Sequence, residues 1–442
     1  MNEWLGCDGS GNAPREIETV PVARRAMLGG ALASLVWWAK GKTALAGVAV
    51  APPPHQNERD ILVMIFLRGG ADGLNLIVPH GDDAYYKNRP TLGVPSPRDK
   101  TKNSKDRALD LNGFFGLHPT LAPLKPFYDK GTMALVHACG SFDQSRSHFE
   151  AMALMEHGQG STPGGQNGGW LARHLSSAPG RNDSPLRAVA LSNIMPESLR
   201  GATQATALNS LDEFRLILPD GDKDLQKAAR ARQILSSLYD GSDAVSHAGR
   251  ETLAVLESLR RLDPKNYKPS GGAQYPDSTF GRGLRQVACL IKGDIGLEAA
   301  CLDHSGPFLW DTHVAQNNLL PAQANDLAQG IAAFARDLDS ELNRVTIVAM
   351  TEFGRRVAEN SGLGTDHGRA GVMFLLGGGI KGGQVYGRWP GLGKDDLEAP
   401  GDLRVTADYR DVLGEIVAKR LKNDKAEAIF PGHKARFMGV TA

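Results

Sequence analysis

The chain has 442 residues, 41% of them hydrophobic and 22% charged, enough to bury a large core as one domain with insertions or as two domains. A formal net charge of +1 argues against a nucleic-acid polyanion partner or a strongly basic membrane patch. Four cysteines are too few for a disulfide scaffold.

At the N-terminus, Arg24-Arg25 precedes an apolar run ending at Ala39, and Ala44-Leu-Ala46 offers a small-residue cleavage site. This resembles a twin-arginine export signal over residues 1–46, followed by a Pro-rich linker over 47–57. The run is shorter than the roughly 20 apolar residues of a spanning helix, so no stable membrane span is expected after signal removal. An uncleaved amphipathic anchor is the alternative. A periplasmic or extracellular location follows from the export reading. Cys7 would leave with the signal. Cys139, Cys289 and Cys301 match no zinc-ribbon spacing and are expected as buried free thiols, with a Cys289–Cys301 bridge as the alternative.

From residue 58 the pattern alternates. Apolar runs at 61–67, 132–137, 187–191, 296–301, 345–350 and 372–376 predict buried strands, and amphipathic stretches at 149–157, 280–292 and 325–342 predict helices between them. That rhythm predicts an α/β fold with a largely parallel central sheet covered by helices on both faces. Residues 85–111, polar and Pro-containing, read as a long surface loop. Residues 198–275 read as a helical insertion or cap without a convincing strand.

Four clusters near strand ends carry candidate chemistry. After the first strand, Arg68-Gly-Gly-Ala-Asp-Gly-Leu-Asn75 turns sharply on its glycines and leaves Asp72 at the carboxyl end; an ordinary Asp-Gly turn is the alternative. After the second, Ser145-Arg-Ser-His-Phe149 opens a helix, where Ser145 or Ser147 could act as nucleophile and Arg146 could neutralise charge. Ser147-His-Phe-Glu150 also reads as a capping box, so the two serines remain rivals. Third, Trp310-Asp-Thr-His313 places Asp311 and His313 on one side of an extended segment, suited to one cation. Fourth, Thr351-Glu352 ends a strand, and Thr365-Asp-His-Gly368 brings Asp366 and His367 to the same edge.

Together with Gly116-Leu-His-Pro119 and Ala407-Asp-Tyr-Arg-Asp411, these segments resemble the domain of unknown function 1501 family, whose members are exported by the twin-arginine pathway, and through it the alkaline phosphatase and sulfatase superfamily. The resemblance covers nearly all of the chain after the linker. It implies an alkaline-phosphatase-like domain over 58–442, and metal ligation by Asp72, Asp311, His313, Glu352, Asp366 and His367. It also implies a nucleophile at Ser145 or Ser147. Phe353 stands where the superfamily places a histidine, which bears on the number of metal ions and on whether catalysis survives. No Cys-x-Pro-x-Arg motif of the sulfatases occurs, and no Gly-x-Ser-x-Gly elbow.

The expected activity is an exported hydrolase that uses a divalent metal, zinc, calcium or magnesium, on a small or polymeric anionic ester such as a phosphate or sulfate. The alternative is a catalytically silent scaffold of the same fold that binds a carbohydrate or protein partner in the envelope. Carboxylates tied up by arginines such as Arg355 and Arg369 would favour the scaffold.

Overall fold

A computed structural model describes residues 59–442 apart from 161–167, 179–181, 217–224 and 306–309. The expected export signal and linker lie outside the described residues. Among the described residues nine strands form the main sheet: β1 (Ile61–Leu67), β2 (Met133–Gly140), β3 (Ala188–Ala190), β4 (Ala205–Ala207), β5 (Ala299–His304), β6 (Val345–Met350), β7 (Gly371–Gly377), β8 (Val385–Tyr386) and β9 (Ala407–Asp408). Their order is β8-β2-β7-β6-β1-β5-β3-β4, with β9 beside the end of β2. Within this sheet, among the described residues, only β7 runs against its neighbours; its other pairs are parallel. The mixed α/β architecture with a mostly parallel sheet is therefore as expected.

β1 shows why its residues are all apolar. Ile61, Val63, Ile65 and Leu67 face a core completed by Leu284 and Val287 of the helix Thr279–Lys292 and by Leu327 and Ile331 of the helix Gln316–Leu338. Leu62, Met64 and Phe66 face a second core with Trp170, Leu171, Tyr409 and Val412. Alternate side chains thus serve opposite faces, so a strand covered on both sides reads as a continuous hydrophobic run. Each such buried side chain contributes roughly 1.5–3 kcal/mol.

Three expectations need correction. The 85–111 segment contributes to the interior: Tyr85 and Arg89 are buried, Tyr85 donates to Asn75 Oδ1 at 2.7 Å, and Leu109–Asp110 pairs with Gly116–Leu117 in a small second sheet. A polar sequence hid this, because an arginine inside is tolerated only with a buried partner. The 198–275 region holds the helices Leu225–Leu238 and Ala244–Leu262 but also supplies the edge strand β4. Its Ala205-Thr-Ala207 pairs through backbone and has no apolar run to announce it. The 325–342 helix starts earlier, at Gln316, and gives way to 3-10 turns at Asp339–Arg344. Cys139, Cys289 and Cys301 are buried free thiols, so no Cys289–Cys301 bridge forms. No helix among the described residues is long and apolar enough to cross a membrane.

Candidate metal centre

The register sets the end of β1 beside the ends of β5 and β6, with Leu67 opposite His304 and Phe66 opposite Met350. Loops leaving β1, β2, β5 and β6 therefore gather at one edge of the sheet, where ligands of α/β folds bind. Because β7 is antiparallel, the segment entering it brings His367 to the same edge. Close packing there depends on Gly70: its φ is +65°, and a Cβ would come within 2.6 Å of Phe353 Cε2.

His148, Asp311 and His367 converge, each offering a ligand atom within 4.8 Å of the others. His367 Nδ1 donates to the Arg146 carbonyl at 2.8 Å. Its Nε2 faces Asp311 Oδ1 at 3.1 Å and His313 Nε2 at 2.9 Å. His148 Nδ1 is held by Glu352 Oε1 at 2.7 Å. Its Nε2 lies 3.4 Å from Asp311 Oδ2, an ion-pair separation, yet this buried nitrogen makes no hydrogen bond. His313 joins from the rim, its Nε2 3.1 Å from Asp311 Oδ1 and its Nδ1 3.5 Å from Asp366 Oδ1.

These spacings suit a shared cation, since ligand atoms about 2.0–2.2 Å from zinc lie about 3–3.5 Å from one another. The surroundings are those of metal-bound imidazoles, whose far nitrogens are fixed by a carboxylate or a carbonyl. Glu352 performs that service for His148, and its own position is fixed by the Gly69 amide at 2.9 Å and the Thr351 hydroxyl at 3.0 Å. Asn360 holds Asp366 at 3.0 Å behind His313. Phe353 builds the floor instead of ligating: its ring packs 4.8 Å from that of His148 and 4.9 Å from that of His367, centroid to centroid.

The electrostatics of the cluster favour positive charge. Burial disfavours the His148 imidazolium, but Asp311 and Glu352 outweigh it and hold the ring up at about 9. Burial pushes Asp311 upward too, yet His148, His367 and Arg355 around it keep the carboxyl well below the ordinary range. Arg355 Nη2 donates to Asp311 Oδ1 at 2.7 Å, while Nε and Nη1 reach the carbonyls of Gly70 and Thr365 at 2.6 and 3.0 Å. Asn360, more than His313, holds Asp366 low.

The structure therefore sorts the expected residues. Asp311, His313 and His367 come together, with Asp366 and Glu352 one layer back as orienting carboxylates. Asp72 is engaged elsewhere: Oδ2 accepts from Arg89 and Gln316, both at 2.5 Å, and Oδ1 from the Leu74 amide at 3.2 Å, capping the short helix Gly73–Leu76. Arg146 turns its guanidinium to Asp402, with Nε at 3.1 Å, and only its carbonyl serves the site. The capping box fails. Ser147 stands at the N-cap of the helix His148–Glu156 without a side-chain cap bond, because Glu150 takes the Ser145 hydroxyl at 2.5 Å.

His148 was missed. It lies inside the Ser145-Arg-Ser-His-Phe149 segment as the first residue of that helix, where the rival serines drew the chemistry to themselves. A histidine entering a helix at the carboxyl end of a core strand was the available signal.

No curated protein matches the chain. The model of the family described as Protein of unknown function (DUF1501) matches residues 59–431, and the chain belongs to that family.

Proposed function

We propose that this chain is an exported, metal-dependent hydrolase of phosphate or sulfate esters or a related anionic group, on an alkaline-phosphatase-like fold. The observation that carries the reading is the convergence of His148, Asp311 and His367, in which the buried His148 Nε2 makes no hydrogen bond and faces Asp311 Oδ2 at 3.4 Å. Two or three imidazoles with one carboxylate favour zinc over calcium or magnesium, which prefer oxygen ligands. A cation held there would supply Lewis acidity toward an anionic ester. Glu352, the Arg146 carbonyl and Asp366 keep the three histidine rings in position. Ser147 is the better candidate nucleophile, since its hydroxyl is released from capping while that of Ser145 is bound to Glu150.

One observation favours the silent scaffold. Asp311 and Asp72, both expected as ligands, are paired with Arg355 and Arg89. Metal analysis of purified protein with turnover of aryl phosphate and aryl sulfate esters decides between the two. The hydrolase reading requires bound metal and a turnover that Asp311→Ala removes. Metal-free protein without turnover, unaffected by Asp311→Ala, leaves the scaffold.

A further inference from the structure

Away from the histidines, sulfur side chains gather around a cavity. Met64 of β1 and Cys301 of β5 stand side by side in the parallel register, and Phe66, two residues on from Met64, lies opposite Met350 of β6. Met64, Cys301 and Met350 share the core that also holds Met155, from the helix His148–Glu156. These four side chains line one cavity of about 20 Å³, room for one water or one metal ion rather than an organic ligand. His148 and Met155 are seven residues apart on their helix, about 10 Å along its axis, so the cavity is separate from the histidine cluster.

The charged groups around the cavity are occupied with one another. Arg68 donates to both Glu156 oxygens, Nη1 to Oε2 at 3.1 Å and Nη2 to Oε1 at 3.4 Å, and its Nη2 pairs with Asp303 Oδ1 at 2.9 Å. The Cys301 thiol, 7% exposed, has one long polar contact among the described residues, to the Ser198 hydroxyl at 4.0 Å. A resident water needs about two to four polar partners, whereas here it would meet mainly the thiol and three thioethers. Methionine is also the side chain that adapts most readily to fill a void, so three of them bordering an open one point to an occupant. Two carboxylates face one guanidinium, which gives the lining an excess of negative charge. Burial pushes the Cys301 thiol up to about 12, so it ionises only against a cation. A monovalent ion that replaces the thiol proton leaves the buried charge unchanged, and a divalent one adds a charge at a cost.

We infer that Cys301, Met64, Met155 and Met350 form a site for one copper(I) ion, the soft monovalent cation that a thiolate with thioethers selects. The Cys301 S–H bond breaks and a sulfur–copper bond takes its place, with no change in oxidation state. The proton leaves to solvent past Asp303, which lines the cavity with its side chain 39% exposed. This site does not depend on the hydrolase reading.

The test is anaerobic titration of the reduced full-length chain with copper(I) against bathocuproine disulfonate, with X-ray absorption of the loaded protein. Wild type is expected to retain one ion per chain in a first shell of sulfur alone. Cys301→Ser is expected to lose it. The combined variant Met64→Leu, Met155→Leu, Met350→Leu, which conserves volume, is expected to release it to chelator that wild type withstands, and His148→Ala to keep it. No ion retained by wild type, a first shell containing nitrogen, or an ion that survives Cys301→Ser overturns the inference. An ion held as firmly by the methionine variant is a lone thiolate adduct and overturns it too, as does loss in His148→Ala. The wild-type absorption spectrum needs no variant, so a misfolded variant leaves the test standing. Zinc content of the same samples should follow His148 and not Cys301; copper bound in protein that takes up no zinc retires the histidine centre and keeps this site.

Discussion

Arg89→Met isolates what Asp72 does. Both side chains of this ion pair are completely buried, and Arg89 Nη1 sits 2.5 Å from Asp72 Oδ2. After the substitution the carboxylate keeps only the neutral donors Gln316 Nε2, at 2.5 Å, and the Leu74 amide, at 3.2 Å. Removing one partner of a buried ion pair costs about 3–5 kcal/mol, because the remaining charge is left uncompensated. The guanidinium also satisfies the Val357 carbonyl at 2.9 Å, Asn75 Oδ1 at 2.7 Å and the Arg356 carbonyl at 3.0 Å, so the upper half of that range applies. Urea unfolding of wild type, Arg89→Met, Asp72→Asn and the double variant measures it. The double variant should recover much of the loss, since both charges leave together. Arg89→Met within 1 kcal/mol of wild type would refute the reasoning. So would Asp72→Asn that unfolds normally but loses metal as completely as Asp311→Ala, which would make Asp72 a ligand.

The other expectations are more local. Glu352→Gln keeps the shape of the group behind His148 but removes its charge, and should weaken zinc binding about 10- to 100-fold in a chelator competition; unchanged affinity would mean that Glu352 does not orient the ring. Gly70→Ala puts a Cβ 2.6 Å from Phe353 Cε2 at a φ of +65°, and should destabilise by about 1–3 kcal/mol in thermal unfolding, with Phe353→Leu relieving part of the loss. Burial pushes His118, His137 and His174 down to about 4. The unfolded chain takes up those protons near pH 6.5 and the folded one does not, so the contribution of these three to stability should be constant above about pH 6.5 and fall toward pH 4, on the order of 3 kcal/mol per histidine. A urea midpoint flat from pH 7 to pH 4 would contradict this.

Much of the sheet was legible because its central strands are buried on both faces, and an unbroken run such as 61–67 or 345–350 has no other use in a soluble core. The antiparallel direction of β7 was not, since the residues of a buried strand read the same in either sense. Of the candidate site, the parts near strand ends were visible: Asp311 and His313 follow β5, and His367 reaches the same edge because it lies just before the antiparallel β7. What was hidden depends on partners remote in sequence. The sequence could not show that Asp72 accepts from Arg89 and Gln316, or that Glu352 holds His148. His148 itself lay in a segment where two serines, an arginine and a capping pattern competed for the same explanation, and only the geometry shows that the histidine faces inward.

The most direct measurement is the metal stoichiometry of zinc-equilibrated protein after removal of free ion, for wild type, His148→Ala, Asp311→Ala and Asp72→Asn. The account predicts one ion per chain in wild type and in Asp72→Asn, and loss of that ion in His148→Ala and Asp311→Ala. Wild-type protein without metal, or an ion that survives both His148→Ala and Asp311→Ala, would contradict it.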